Sequence, residues 1–349
     1  MPAGSDRERR DTRDLHRRAT IVDVAAMAGV SRQTVSRVLG RAGPVAEETR
    51  ARVTSAIREL GYRPNQVART LVQRRSCILG VSARDLNSPL TAPFIARLQA
   101  LSRASDYHVI VSNFDLDDEG GVGTLHTFVS LNVDGIALFP SVMKADVIEQ
   151  FARFYAGRVV AVGRTAPLEG VCALSLDEIG AARLVVDHLR SRGRGRLAIL
   201  ADEWYADTVH PRIAGLEASL RDASCSPVRV VGGHKPTIEG GASAMVDLVS
   251  AVSAGDIDAV VCYNDTMAIG ALHACRGLRL SVPGDVALVG YDNIPYGAVT
   301  SPPLTTVPQD AERYAEITFE LLAADEQGDT PPFEGVTLVT SRLEIRGST

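Results

Sequence analysis

The chain has little of several residue types, and each shortage excludes a class of protein. Its 349 residues include five cysteines with no C-x-x-C pair and no zinc-ligand spacing, which excludes a disulfide scaffold and a zinc finger. No run approaches about 18 uncharged apolar residues, which excludes a membrane-spanning helix, and residues 1–18 are too charged for a signal peptide. We therefore predict a cytoplasmic protein with reduced thiols, no metal site and no cofactor.

Catalytic signatures are also missing. The sequence has no G-x-S-x-G, no H-E-x-x-H and no phosphate-cradling glycine loop, and its seven histidines lie without a carboxylate or cysteine at useful spacing. An enzyme, for instance one that acts on a sugar, is therefore a weak alternative interpretation of this sequence, and we predict no catalytic residue.

Positive charge is concentrated at one end of the chain. Residues 1–75 hold 16 arginines, no lysine and eight acidic residues, a formal charge of +8, which leaves −13 for the rest of a chain whose total is −5. A cationic head on an acidic body is typical of a modular DNA-binding protein whose affinity falls as salt rises. Residues 1–18 contain almost nothing apolar and are predicted to be a disordered extension.

Residues 19–63 have the pattern of a helix-turn-helix. Thr20 is the predicted N-cap of a first helix, Asp23 completes a capping box, and Gly29 supplies the tight turn. Ser31 caps a second helix, whose apolar side faces the first. The outward side carries five residues suited to base edges and phosphates: Arg32, Gln33, Thr34, Ser36 and Arg37. The alternative interpretation is an ordinary solvated helix face.

A third helix, from about Ala46 to Leu60, is predicted to be scaffold, and Ala46 offers it no side-chain cap. After Pro64 the sequence continues with N-Q-V-A-R-T-L, in which Asn65 can cap a short segment. The whole stretch from Thr20 to Leu71 resembles the DNA-binding headpiece of the LacI/GalR family of bacterial transcriptional repressors.

The resemblance implies that residues 64–76 form a hinge helix and linker, and that the helix folds when two subunits meet on DNA. It also implies that Leu71 wedges into the minor groove and kinks the duplex, although Leu71 could instead cover the core. The predicted DNA-binding set therefore combines the five helix residues with Thr20, Ser31, Asn65, Ala68 and Leu71.

The remaining residues, about 275, alternate short apolar runs with helical stretches, as in an α/β fold with parallel sheets. Seven runs are predicted buried strands: 78–82, 108–112, 135–139, 158–162, 197–200, 259–263 and 286–291. Helices are expected near 181–191 and 266–275.

This region resembles the family's effector domain, which is itself like periplasmic sugar-binding proteins. The likeness is carried by Y-N-D-T-M-A-I-G-A, V-P-G-D-V-A-L-V-G-Y-D-N and S-P-P-L-T-T-V. The predicted fold is a small all-α helix-turn-helix headpiece joined by a hinge helix to a two-lobed α/β core with parallel sheets. The effector-binding and dimerisation domain is placed at 77–349, with one lobe at 77–174 and 308–335 and the other at 175–307 and 336–349.

Ligands of such folds bind outside the carboxyl ends of the strands. By resemblance, four residues of the second half are predicted to bind the effector: Arg212, Asn264, Asp292 and Gln309. Arg212 could otherwise be a surface arginine, and Gln309 could only stabilise the hinge. Asp265 is expected to cap the following helix instead.

In the first lobe, D-L-N-S-P-L-T-A-P-F resembles the family segment that covers the effector, which implies contacts from Asn87, Ser88 and Phe94. Arg164 follows a strand where several family members have an aspartate nearby, and it is predicted to contact the ligand or to form an ion pair. Trp204 is predicted either to stack on a sugar or to pack on its own lobe.

The resemblance implies a sequence-specific DNA-binding regulator, a repressor whose operator affinity is changed allosterically by a small molecule, with a sugar favoured. A homodimer on a pseudo-palindromic operator is expected, because the chain stops at R-L-E-I-R-G-S-T without the helical segment of the family's tetramers. A purine-type corepressor and a DNA-bending architectural role stay open.

Overall fold

The computed structural model describes residues 19–40, 44–62, 75–83, 85–113, 121–139, 143–202, 211–223, 229–323 and 335–349. The chain forms two units, Met1–Ser76 and Cys77–Thr349. The predicted N-terminal extension, the hinge residues Asn65, Ala68 and Leu71, and Trp204 lie outside the described residues.

Among its described residues, the first unit has three short helices: α1 (Ile21–Ala28), α2 (Arg32–Gly40) and α3 (Glu47–Glu59). Each helix buries a valine completely, and Val24, Val35 and Val53 meet in one small core. Because these residues recur at helical spacing, each helix presents one apolar side to the other two.

The ends of these helices confirm the predicted caps. Thr20 and Asp23 form the capping box, and Gly29 ends α1 at φ 62°, in the left-handed region that favours glycine. Ser31 Oγ accepts from the Thr34 backbone N–H at 3.1 Å. Ala46 begins α3 without a side-chain cap, as predicted.

The first lobe of the second unit is built on a six-stranded parallel sheet. Its elements are β1 (Ile78–Ala83), α4 (Thr91–Ala104), β2 (His108–Asn113), α5 (Val122–Ser130), β3 (Gly135–Phe139), α6 (Ala145–Phe154), β4 (Arg158–Val162), β5 (Cys172–Leu176), α11 (Ala311–Ala323) and β11 (Gly335–Val339). The strand order is β11-β5-β4-β3-β1-β2. Apolar clusters cover both faces of the sheet, which explains why its strands are continuous hydrophobic runs in the sequence.

The second lobe has a five-stranded parallel sheet. Its elements are α7 (Glu178–Ser191), β6 (Leu197–Asp202), α8 (Pro211–Asp222), β7 (Arg229–His234), α9 (Ile238–Ser253), β8 (Ala259–Cys262), α10 (Asp265–Gly277), β9 (Ala287–Asp292), a 3₁₀ turn (Pro295–Val299) and β10 (Thr305–Pro308). The strand order is β10-β9-β8-β6-β7, and each face of the sheet again carries an apolar cluster.

The chain crosses between the lobes three times, and the third crossing corrects a sequence prediction. The first two crossings follow β5 and β10. The sequence assigned residues 336–349 to the second lobe, but β11 pairs with β5 in the first-lobe sheet. The chain returns only afterwards, where Glu344 bridges Thr306 of β10. The sequence pattern of β11 is compatible with either sheet, so tertiary contacts decide which strand it pairs with.

In the part of the chain described above, no helix combines the length and apolar character needed to cross a membrane.

Candidate functional site

A buried ion pair lies at the carboxyl end of the second-lobe sheet. Arg212 Nε donates to Glu178 Oε2 at 3.1 Å, and Arg212 Nη2 donates to Glu178 Oε1 at 2.9 Å. The two side chains are only 6% and 9% exposed. The pair therefore has the planar two-point geometry in which a guanidinium holds a carboxylate most strongly.

Local sequence explains why the two side chains meet. Asp177 caps α7 by accepting from the Gly180 backbone N–H at 2.9 Å, which sets Glu178 at the first position of the helix. Arg212 occupies the first turn of α8. A Cβ at Gly215 would lie 3.2 Å from the Glu178 carbonyl oxygen, so this glycine allows α7 and α8 to approach closely.

Two tyrosines hold the Arg212 guanidinium in place. Its central carbon lies 3.8 Å from the centroid of the Tyr291 ring and 5.1 Å from that of Tyr263. Arg212 Nη1 also donates to the Tyr263 carbonyl oxygen. Burial alone lowers the pKa of Arg212, but attraction and hydrogen bonds from Glu178 outweigh it and raise that pKa, so Arg212 stays charged.

Asp292 ends β9 beside this pair. Its backbone has a φ of 105°, which is unfavourable for a residue with a side chain and is common at binding sites. Gln309, just after β10, donates from Nε2 to Asp292 Oδ1 at 2.7 Å. Burial and the negative charge of Asp265 raise the pKa of Asp292 to about 8, although Arg212 and Gln309 act in the opposite direction.

We call Glu178, Arg212, Tyr263, Asp292 and Gln309 the strand-end cluster. Glu178 follows β5 of the first-lobe sheet, and the other four residues lie at the carboxyl ends of four strands of the second-lobe sheet. The parallel topology of that sheet brings those four strand ends to one edge. The structure thus brings together three predicted effector residues, namely Arg212, Asp292 and Gln309.

Asn264 has the helix-cap role that the sequence assigned to Asp265. Asn264 caps α10, because its Oδ1 accepts from the Met267 backbone N–H at 2.8 Å. Asp265 is not the cap: it is fully buried and accepts from Thr306 Oγ1 at 2.6 Å and from the Ile294 N–H at 2.8 Å. Its carboxyl group therefore ties α10 to β10 and to the loop after β9.

The predicted first-lobe residues make contacts within their own lobe. The Asn87 backbone N–H donates to Asp85, Ser88 Oγ accepts from the Leu90 N–H, and Arg164 Nη2 donates to the Met143 carbonyl oxygen. Phe94 is 0% exposed and stacks on Phe139 with ring centroids 4.2 Å apart, so it is a core residue rather than an exposed effector contact.

In the first unit, the polar side of α2 is accessible. Arg32, Gln33, Ser36 and Arg37 are exposed, whereas Val35 on the opposite side is 0% exposed. Thr34 is half-buried, and its hydroxyl lies 2.9 Å from that of Ser31. Long donors project from a helix that the three-helix core holds in place, as a major-groove reader requires.

Sequence reasoning missed Glu178 and the two tyrosines. Glu178 follows the apolar run C-A-L-S-L, so the rule that located Asn264 and Asp292 after their strands could have located it. Its pairing with Arg212 has no local signal, because the two residues are 34 positions apart. The described residues contain no group of three or more metal-ligating side chains placed to hold an ion.

Comparison with known proteins identifies the chain. A family model described as "Bacterial regulatory proteins, lacI family" matches residues 20–65, and one described as "Periplasmic binding protein-like domain" matches residues 186–349. The transcriptional regulator CelR of Thermobifida fusca is 33% identical over 350 residues, which cover 96% of this chain and 99% of the relative. The chain belongs to the lacI family of bacterial regulatory proteins.

Other members of the family extend this match. The transcriptional regulator MalR of Streptomyces coelicolor is 33% identical over 94% of this lacI-family chain and 96% of its own length. Among solved structures, a lac repressor dimer bound to operator and the anti-inducer ONPF has a TM-score of 0.79 at 25% identity, covering 95% of this chain and 99% of the other. A CelR–cellobiose complex has a TM-score of 0.66 at 28% identity, covering 95% and 100%.

These matches confirm the fold class and the predicted function class. This lacI-family protein is a DNA-binding transcriptional regulator and not an enzyme.

Proposed function

We propose that this regulator is a cytoplasmic repressor that binds a pseudo-palindromic operator as a homodimer and changes its operator affinity when a sugar or sugar derivative binds the second unit. The observation that carries the effector part is the convergence of Arg212, Asp292 and Gln309 at one sheet edge. The lac repressor structure, a dimer on operator, supports the assembly.

For DNA binding, the proposed readers of base edges are Arg32 and Gln33, at the start of α2. A good two-point contact from such a side chain discriminates between bases by about 1–3 kcal/mol. Thr34, Ser36 and Arg37 are proposed to hold phosphates, and Thr20, Ser31 and the hinge residues Asn65, Ala68 and Leu71 complete the surface. The +8 charge of residues 1–75 supports attraction to the duplex.

For the effector, the strand-end cluster offers the donors and acceptors that a sugar uses. The carboxyl group of Asp292 can accept from or donate to a hydroxyl, while Gln309 and the neighbouring Asn264 offer amide donors and acceptors. Arg212, held by Glu178, presents the remaining part of its guanidinium. Asn87, Ser88, Arg164 and Trp204 are proposed as further contacts. The cellobiose bound to CelR supports a sugar as the ligand class.

Coupling between the two functions is proposed to run through the interlobe crossings. Glu178 comes two residues after β5, at the first crossing, and Gln309 directly follows β10, at the second. A ligand that binds residues at two crossings favours one angle between the lobes. A difference of about 1–3 kcal/mol between the two lobe arrangements is the usual size of such coupling.

The test is fluorescence anisotropy of the purified protein on a labelled pseudo-palindromic site from its own upstream DNA, repeated with sugars, sugar derivatives and purines. Release of DNA by a sugar is the expected result. Tighter binding with a purine would indicate the corepressor alternative. Operator binding that ignores every compound would favour an architectural protein, and no specific binding at low salt would refute the proposal.

A further inference from the structure

The positive charge of Arg212 is already neutralised by a carboxylate of the protein itself. One edge of its guanidinium, formed by Nε and Nη2, faces the two oxygens of Glu178, at 3.1 and 2.9 Å, and the pair is nearly inaccessible to solvent. An arginine in a binding site usually serves to hold a phosphate or carboxylate by this same two-point geometry. Here that geometry is satisfied by the chain's own carboxylate.

An anionic ligand could take Arg212 only by displacing Glu178. Displacement would leave a buried carboxylate without its partner, which is strongly unfavourable. Arg212 also cannot follow a ligand easily, because Tyr263 accepts from it and the Tyr291 ring lies 3.8 Å from its central carbon. Both the partner and the position of this arginine are therefore set before any ligand binds.

A second carboxyl group, that of Asp292, fits the same preference. It ends β9 and accepts from Gln309 Nε2 at 2.7 Å. Burial raises its pKa to about 8, so at neutral pH the group is mostly protonated and can both donate to and accept from a ligand hydroxyl. It offers no positive charge to a phosphate.

We propose that Glu178 is a specificity-determining residue that makes this effector site selective for uncharged polyhydroxyl ligands over sugar phosphates and sugar acids, by neutralising Arg212. The inference rests on the proposed function, since it narrows the ligand class of that same site. Glu178 acts on selectivity through Arg212.

The first measurement is isothermal titration of the full-length wild-type protein with pairs that share a carbon skeleton and differ in charge: glucose with glucose 6-phosphate, glucose with glucuronate, and lactitol with lactobionate. The neutral member of any pair that binds is expected to bind about tenfold or more tightly. Equal or tighter binding of the anionic member would overturn the proposal.

The second measurement uses inorganic phosphate as the probe and thermal unfolding as the readout. At low millimolar concentration, where the general stabilising effect of an excluded salt is small, phosphate should not stabilise the wild type beyond a chloride control of equal ionic strength. Glu178→Gln, which keeps the shape of the side chain and removes its charge, should gain phosphate stabilisation. Asp187→Asn is the matched control, because it removes one exposed carboxylate from the same helix, and it should behave as the wild type.

Each outcome counts. Phosphate stabilisation of the wild type, or none in a folded Glu178→Gln, would overturn the role of Glu178. If Glu178→Gln does not fold, the wild-type response to phosphate and to the matched pairs decides. Operator binding measured on the same samples separates the two proposals: regulated binding with unchanged charge preference refutes only the role of Glu178, whereas absence of operator binding refutes the proposed function.

Discussion

Removing Arg212 should destabilise the second unit strongly, because it leaves Glu178 charged and buried. The Glu178 side chain is 9% exposed, and both of its oxygens bond to Arg212. Breaking a buried pair by removing one partner costs about 3–5 kcal/mol. In a domain of this size such a loss lowers the melting temperature by on the order of 10 °C.

The assay is thermal unfolding followed by circular dichroism for Arg212→Ala and for the double variant Arg212→Met/Glu178→Gln. The double variant should recover much of the lost stability, because no unpaired charge stays behind. Arg153→Ala is the control. Its ion pair with Glu169 has a 2.7 Å separation, but the side chains are 61% and 66% exposed and solvent screens the pair, so its loss should lower stability far less than the loss of Arg212.

Equal melting temperatures for Arg212→Ala and Arg153→Ala would refute this reasoning, since the loss of a buried partner should cost far more than the loss of an exposed one. A double variant no more stable than Arg212→Ala would refute the assignment of the loss to the unpaired Glu178 charge.

Three further predictions follow from other parts of the molecule. Gln33→Ala should reduce discrimination between the operator and single-base variants of it by about 1–3 kcal/mol while leaving non-specific binding intact, and an unchanged ratio of dissociation constants would contradict this. The pKa of Asp292 is raised to about 8 in the folded protein. The stability of the wild type relative to Asp292→Asn should therefore be greatest below about pH 4 and should fall as pH rises through about 8. Melting curves across that pH range test the sign, and a constant difference in melting temperature would count against the prediction. A Cβ at Gly290 would lie 2.1 Å from Asp265 Oδ1, so Gly290→Ala should lower the free energy of unfolding by about 1–3 kcal/mol. A Cβ at Gly277 would have nothing within 4 Å, so Gly277→Ala should change that free energy little. Urea titration measures both variants, and similar losses would argue against the close contact.

Local sequence was sufficient for the headpiece. The caps at Thr20 and Ser31, the turn at Gly29 and the exposed polar side of α2 all depend on residues within four positions of one another. Hydrogen bonds and helical periodicity act over that distance, so reading the sequence in short windows captured them.

Resemblance to the family, together with the rule that ligands bind at strand ends, predicted three members of the strand-end cluster: Arg212, Asp292 and Gln309. The sequence assigned the cap of α10 to Asp265, and this was wrong, because Asn264 caps the helix. Both residue types cap helices well, so short-range rules cannot separate them. The buried bonds of Asp265 to residues 29 and 41 positions away settled that choice.

The sequence by itself determined the class of protein, the three headpiece helices and seven of the described strands: β1, β2, β3, β4, β6, β8 and β9. Tertiary structure alone decided that Arg212 pairs with Glu178, that Phe94 is core, and that β11 joins the first sheet. The physical reason is the same in each case. These outcomes depend on which apolar faces meet across long separations in the chain, and a side chain's own neighbours in sequence carry no information about that contact.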